Sequence, residues 1–167
     1  VPSSTVFEMY PLGFLTIASY RHDRGLDVRI VNLALRMMND RRFDVPAFIA
    51  RQRPRAIGID LHWLPHAHGA LEVARIAKEA HPDVPVILGG LSSTYFHREL
   101  IGYPQVDFVL RGDSTEPPLH QLLVAELDAV QLDTSLLGEV VIQRVVGLVV
   151  ARRIQVQHLV LRSPIDG

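Results

Sequence analysis

The stretch RAIGIDLHWLPHAHGALEVARIAKEAHPDVPVILGG (residues 55–90) decides the fold. Its opening, RAIGIDLHW, is a short apolar run with branched residues and a proline on either side, as is typical of a buried strand. In HGALEVARIAKEAHP the apolar residues recur at helical spacing, which predicts a helix with Leu71, Ala74 and Lys78 on one face. VPVILGG then predicts a second buried strand that ends in two glycines. Strand, helix and strand in this order predict a βαβ unit with parallel strands.

The same alternation continues on both sides, from Pro11 to about Ala129. Further strands are predicted over DVRIVNLA (residues 27–34) and VDFVLRGD (residues 106–113). The predicted helices are PLGFLTIASYRHDRG with Gly25 at its end, DVPAFIARQRP with Asp44 as N-cap, SSTYFHRELIG with a Ser/Thr cap cluster and Gly102 at its end, and STEPPLHQLLVAEL capped by Ser114 or Thr115. Four apolar strands, each followed by a helix, predict a doubly wound, Rossmann- or flavodoxin-like parallel sheet. In that fold, ligands bind beyond the carboxyl ends of the strands.

The last segment, residues 130–167, does not continue this pattern. It contains apolar β-branched runs, and RIQVQHLVLR alternates between polar and apolar residues like a half-exposed strand. We therefore predict an α/β domain over residues 1–129 and a β-rich tail over residues 130–167, with one or two extra strands or a hairpin.

Composition excludes several classes of function. The 167 residues suffice for one domain with a core, 48% are hydrophobic, and the net charge of −1 gives no electrostatic signature of nucleic-acid or membrane binding. The sequence has no cysteine, which excludes disulfides, iron–sulfur clusters, thiolate metal sites and a cysteine nucleophile. No apolar run is as long as a membrane span, and the first residues do not resemble a signal peptide, so we expect a cytoplasmic protein.

Three segments together resemble a known family: PLGFLTIASYRHDRGLDVRIVNLA (residues 11–34), VPVILGGLSSTYF (84–96) and YPQVDFVLRGDSTEPPLHQLL (103–123). Over roughly residues 7–125 their order and spacing resemble the N-terminal cobalamin-binding domain of cobalamin-dependent radical SAM proteins. Members of that family have a helix led by Pro-Leu-Gly, two glycines after a strand, and a Val-Asp-Phe-Val-x-Arg-Gly strand that leads into a helix. The resemblance implies that cobalamin is the cofactor and the principal ligand of this domain.

The resemblance also implies what this chain does not contain. Radical SAM proteins carry three clustered cysteines for a [4Fe–4S] cluster, and this sequence has none. The cluster and S-adenosylmethionine would therefore belong to another domain, and this chain would be the cobalamin module, non-catalytic alone. The family also begins with a strand ahead of the Pro-Leu-Gly helix. Most of that strand is missing here. We therefore expect this chain to be a fragment of a longer protein, with the missing radical SAM domain as its partner.

The candidate cofactor-binding residues follow the predicted strands. Gly89 and Gly90 would let a nucleotide tail or phosphate approach the backbone, with Ser92 and Ser93 donating hydrogen bonds, or they would only form a tight turn. Gly112 and Asp113 follow the next strand and have the same two interpretations. The resemblance places both groups at the sheet edge where the cobalamin tail inserts, and it implies that Pro11, Leu12 and Gly13 form a loop over the corrin ring.

Asp60, Leu61 and His62 are further candidate cofactor-binding residues, and they end the strand that begins near Ala56. In several cobalamin proteins an Asp-x-His-x-x-Gly motif supplies a histidine to cobalt, but here Pro65 stands where the glycine belongs. We therefore consider His62 a candidate cobalt ligand and, by preference, a residue that lines the corrin or nucleotide pocket. Asp60 lies two positions before His62, and side chains two positions apart in a strand point to the same face.

Other interpretations remain open at this point. Asp60, His62, His66 and His68 could hold Zn or non-haem Fe, although His66 and His68 could equally flank a helix start. Trp63 is either a ring-stacking or a core residue, and Glu116 is either at the ligand edge or an ordinary first-turn glutamate. The remaining histidines, His120 among them, are explained by surface or helix-end positions.

Two alternative functions also remain. The chain could be a stand-alone flavodoxin-like enzyme or nucleotide-binding protein that uses the same crevice, with a histidine as its acid–base group. It could also be a domain without a ligand whose incomplete sheet is completed by its own tail or by another copy in a homo-oligomer.

Overall fold

The computed structural model describes residues 12–25, 27–112, 116–128 and 140–142. Four strands form one sheet, in the order β1, β2, β3, β4. The first three run parallel and β4 runs antiparallel to β3. The strands are β1 (Ile57–Asp60), β2 (Val86–Gly89), β3 (Phe108–Leu110) and β4 (Val140–Ile142).

Helices connect and cover these strands. They are α1 (Leu12–His22), α2 (Leu33–Asn39), α3 (Val45–Ala50), α4 (Ala67–Ala80), α5 (Leu91–Tyr95), α6 (His97–Leu100) and α7 (Glu116–Asp128), and a 3-10 turn (Leu64–His66) precedes α4. Gly25, at a φ of 70°, follows the end of α1 as predicted. Asp44 caps α3 as predicted, since its side chain accepts a hydrogen bond from the Ala47 amide at 2.9 Å.

The apolar side chains of the sheet alternate between two cores, one on each face. One core joins β1, β2 and β3 to α3, α4 and α6, through residues such as Ile57, Leu88, Ala74 and Leu100. The other joins the opposite face to α1 and α7, through Ile17, Ile87, Phe108, Leu110, Leu119 and Leu122. Helices therefore cover both faces, and the predicted doubly wound α/β fold is confirmed.

The predicted strand over residues 27–34 is wrong. Within that segment only Arg29 has a strand-type bridge, and α2 begins at Leu33. The side chain of Asn32 accepts a hydrogen bond from the Leu35 amide at 2.9 Å, which caps the first turn of α2. Because this cap stabilises a helix start inside the apolar run, the run is divided between an extended segment and a helix.

The predicted helix SSTYFHRELIG is also different. It is divided at Phe96 into α5 and α6, and the residue before α5 is Gly90 rather than a capping serine or threonine. The hydroxyl groups of Ser92 and Ser93 donate instead to the carbonyls of His62 and Gly89. The serines therefore attach the helix to the strand ends and do not cap it.

In α4 the buried face consists of Ala70, Ala74 and Ala77. The prediction placed Leu71, Ala74 and Lys78 on this face, one position away from the observed centre. Small side chains lie against the sheet because they allow close approach of helix and strands, and the longer Leu71 is half-buried at the margin.

Of the predicted β-rich tail, the structure describes only β4, and the rest of the proposed hairpin lies outside the described residues. Ser114 and Thr115, the predicted caps of α7, are outside them as well. Within the described segments, none of the helices has the length and apolar character needed to cross a membrane.

An ion pair joins the strands at the amino-terminal edge of the sheet. Lys78 Nζ lies 2.6 Å from Asp107 Oδ2, and the same oxygen accepts a hydrogen bond from the Val86 amide at 2.7 Å. Lys78 Nζ also donates to the carbonyl of Val84 at 3.0 Å. Because Asp107 is almost completely buried, its carboxylate depends on these two partners to compensate the loss of water. The pair thus joins α4 to the beginnings of β2 and β3.

We predict that Lys78→Met lowers the free energy of unfolding by about 2–3 kcal/mol, because it leaves a buried carboxylate with less compensation. Urea unfolding at neutral pH measures the change. The double variant Lys78→Met, Asp107→Asn should be less destabilised than the sum of the single variants, because the unpaired charge is then removed. Additive effects would contradict this account of the pair.

Candidate functional site

The candidate site is the carboxyl-terminal edge of the sheet, where three strand ends are joined by hydrogen bonds. The segment after β1 is joined to α5 by the Ser92 and Ser93 amides, which donate to the Leu61 carbonyl at 3.0 and 3.3 Å. The Ser92 hydroxyl donates to the His62 carbonyl at 2.9 Å. The structure therefore brings together the predicted residues that follow β1 and β2.

Gly90 makes the close approach of these segments possible. Its φ is 102° and its ψ is 173°, a backbone conformation that is open almost exclusively to glycine. A Cβ atom at this position would lie 2.4 Å from Asp60 Oδ1 and 2.8 Å from the Leu61 carbonyl oxygen. The missing side chain of Gly90 thus admits the end of β1, and its first role is contact within the chain itself.

Ser92 and Ser93 are buried, and both hydroxyl groups donate to carbonyls of the chain. Their donor protons are used in holding the loop, which leaves their oxygen lone pairs as acceptors. Leu61 is also buried, with its side chain inside the core. The sequence suggested all three as cofactor-binding residues, and in the structure they support the edge from beneath.

Thr94 was not identified from the sequence, although it connects two predicted site residues. Its hydroxyl oxygen accepts a hydrogen bond from the Gly112 amide at 2.9 Å and donates to the Gly90 carbonyl at 3.2 Å. Gly112 follows β3 and has a φ of 95°. The only sequence signal was the position of Thr94 in the Ser-Ser-Thr run after the two glycines, which suggested a helix cap.

Three exposed apolar side chains lie at this edge. Trp63 and Leu64, after β1, are 48% and 50% exposed, and Leu91, after β2, is 39% exposed. The half-exposed imidazole of His62 packs edge-on against Trp63, with ring centroids 4.8 Å apart. Apolar side chains beside the imidazole of His62 suit a large, flat, partly apolar ligand better than a small ion.

The four-residue metal site considered from the sequence does not form. In the described part of the chain, no three histidine, aspartate or glutamate side chains are grouped so that they could hold a metal ion. His66 and His68 are exposed at the beginning of α4, and His66 makes no capping bond with its side chain. The half-exposed Asp60 is at the end of β1, against Gly90.

Only some of the remaining predicted site residues are among those that the structure describes. Leu12 and Gly13 form the start of α1, whereas Pro11 and Asp113 lie outside the described residues. Glu116 is the first residue of α7, in agreement with an ordinary first-turn glutamate.

A cavity in the core is too small to compete as a ligand site. It has a volume of ≈ 20 Å³ and is lined mostly by apolar side chains, including Val31, Phe48 and Ile59, together with Gln52. This is about the space of one water molecule, far below the volume that a cofactor needs.

A polar contact joins α1 to α7 on the other face of the sheet. The buried Arg21 places Nη1 2.8 Å from Nδ1 of His120, and Tyr20 packs edge-on against the same imidazole. Burial and the positive charges of Arg21 and Arg24 lower the pKa of His120. His120 is therefore not an ordinary surface histidine, as the sequence suggested, but a neutral partner of a buried guanidinium.

The chain is similar to a known protein family and to a curated protein. Residues 3–120 match the family model described as B12 binding domain. A curated relative, the anaerobic magnesium-protoporphyrin IX monomethyl ester cyclase of Synechocystis sp., is 27% identical over 120 residues. The match covers 71% of this chain and 23% of the relative, so the chain spans about a quarter of the relative's length. None of the solved structures matches the chain.

We predict that Gly90→Ala destabilises the fold by about 3 kcal/mol or more, because the new Cβ meets Asp60 and Leu61 in a conformation that only glycine adopts readily. Thermal or urea unfolding measures the effect. Gly69→Ala is the matched control, because position 69 lies in α4 with open space around the added carbon. This variant should raise the free energy of unfolding by up to about 1 kcal/mol. A Gly90→Ala protein as stable as wild type would refute the close approach.

We also predict a pH dependence that originates at His120. Because its pKa is lower in the folded than in the unfolded chain, its contribution is complete above the unfolded pKa of about 6.5 and is lost as the pH falls below that value. Wild type should therefore lose more stability between pH 7.5 and 5.5 than His120→Gln, which keeps an acceptor for Arg21. Urea unfolding at both pH values tests this, with exposed His66→Gln as the control; equal losses in wild type and His120→Gln would disprove the assignment.

Proposed function

The chain belongs to the B12-binding domain family, and on this basis we propose that it holds cobalamin at the carboxyl-terminal edge of its sheet. The observation that carries the proposal is the convergence at this edge of three strand ends, tied by hydrogen bonds and bordered by exposed apolar side chains. It is also the edge at which doubly wound folds bind ligands.

The residues present fit this cofactor. The corrin ring would itself hold the cobalt, so this chain would not need a cluster of metal-binding side chains. In the described residues the half-exposed imidazole of His62 lies at this edge, and no three metal-binding side chains are grouped. The exposed Trp63, Leu64 and Leu91 offer apolar surface for the ring and its methyl groups.

The division of work at the edge follows from burial. We assign the exposed side chains after β1 and β2 to contact with the ring and exclusion of water from its face. Gly90, Ser92 and Ser93 hold the loops beneath it in place, and Asp60 and His62 line the pocket. When bound, cobalamin supplies a cobalt centre that can carry a methyl group or take part in radical chemistry.

We further propose that the domain serves a longer radical SAM protein. The support is the resemblance of its segments to the N-terminal domains of such proteins and its short coverage of a longer curated relative. The sequence contains no cysteine for an iron–sulfur cluster, so S-adenosylmethionine chemistry would belong to a separate domain.

Titration of the purified chain with hydroxocobalamin tests the proposal. We expect co-elution of the cofactor with the protein and saturable binding in equilibrium dialysis. His62→Ala should weaken binding about three- to tenfold, as expected for the loss of one lining contact, and leave the visible spectrum of the complex unchanged. His66→Ala, at the neighbouring exposed histidine, is the matched control and should bind like wild type.

Each outcome has a distinct meaning. Absence of co-elution and of binding by the wild-type chain would refute cobalamin binding. A visible spectrum that changes in the complex of His62→Ala would show instead that the imidazole ligates cobalt. Equal affinity of His62→Ala and wild type would remove His62 from the pocket.

A further inference from the structure

We infer that Thr94 is a positioning residue that fixes the spacing between the loops after β2 and β3. This inference rests on the proposed cobalamin crevice, because both loops border it. The Thr94 hydroxyl accepts a hydrogen bond from the Gly112 amide at 2.9 Å and donates its proton to the Gly90 carbonyl at 3.2 Å. One side chain thus connects two backbone segments that follow different strands.

The two connected residues, Gly90 and Gly112, have no side chains that could fix this spacing. Gly90 and Gly112 both have positive φ values, 102° and 95°, and neither carries a side chain that could pack against its neighbour. Glycine is the most flexible residue of the chain, so two glycine turns need an external constraint to keep one geometry. Thr94 provides that constraint from a fixed base, because its own amide donates to the Gly90 carbonyl at 3.0 Å within the first turn of α5.

The role requires a hydroxyl group specifically. A group that both accepts from an amide and donates to a carbonyl must be a donor and an acceptor at one atom, which serine and threonine supply and valine does not. Thr94→Val keeps nearly the same size and branching and removes both hydrogen bonds, leaving the Gly112 amide without this acceptor. Thr94→Ser restores them.

The spacing matters for a flat ligand that lies across the strand ends. Such a ligand contacts the loops after β2 and β3 together, so its affinity depends on their separation. Binding sites lose affinity when their supporting residues allow displacements above about 0.5 Å. Thr94 therefore acts on the ligand through Gly90 and Gly112 and not through contact of its own.

The experiment compares wild type, Thr94→Val, Thr94→Ser and Lys78→Met as full chains. Hydroxocobalamin affinity is measured by equilibrium dialysis, and exchange of the Gly112 amide with solvent is followed by NMR in the cofactor-free protein. Lys78→Met is the control because it weakens the fold at the opposite, amino-terminal edge of the sheet.

We expect Thr94→Val to bind hydroxocobalamin about tenfold more weakly, equivalent to about 1.4 kcal/mol, and to exchange the Gly112 amide faster. Thr94→Ser should restore affinity to within about twofold of wild type and restore the slow exchange. Lys78→Met should keep wild-type affinity in spite of its lower stability.

Two results would overturn the inference while leaving the proposed function intact. One is a Thr94→Val protein that binds like wild type; the other is a loss of affinity in Lys78→Met as large as in Thr94→Val, which would indicate general destabilisation. A wild-type chain that does not bind hydroxocobalamin would instead refute the proposed function, and the role of Thr94 with it.

Discussion

The architecture of this domain's ligand edge depends on one missing side chain, that of Gly90. The parallel strands β1 and β2 end side by side. The turn after β2 therefore passes against the carboxylate of Asp60 and the carbonyl of Leu61. Only a residue without a Cβ can do so at this backbone conformation. The Leu61 carbonyl can then accept the amides of Ser92 and Ser93, and the beginning of α5 is fixed against β1. The hydrogen bonds that follow, through Ser92 and Thr94, all start from this contact.

Much of the fold was predictable because it depends on local patterns. The apolar runs of β1, β2 and β3 are continuous, the period of α4 is helical, and Asp44 and Gly25 are typical residues for their positions. The prediction failed where two local signals overlap. In residues 27–34 the branched residues favour a strand while Asn32 favours a helix start, and the balance depends on tertiary packing, which is not visible in the sequence.

The sequence indicated where the candidate site would lie in the fold, but not which contacts each of its residues would make. Strand ends with glycine, serine and histidine indicate the carboxyl edge, since parallel strands align their ends. Whether a hydroxyl points toward a ligand or toward a carbonyl of the chain depends on the turn geometry. Ser92 and Ser93, which the sequence suggested as donors to a ligand, donate to backbone carbonyls. Thr94 instead connects Gly90 to Gly112. The contact of Arg21 with His120 spans 99 residues of sequence, and no local pattern indicates it.

The short strand β4 has a consequence for how this domain meets its surroundings. All three residues of β3 are paired with β4 on that side: Phe108 with Ile142, Val109 with Val141, and Leu110 with Val140. An unpaired β3 would offer its backbone groups as a template for another strand, the usual route to edge-to-edge aggregation. A strand that runs in the opposite direction occupies that template along the whole of β3. Within the described residues, β4 thus covers the backbone groups of β3 that would otherwise be open to a strand of another chain.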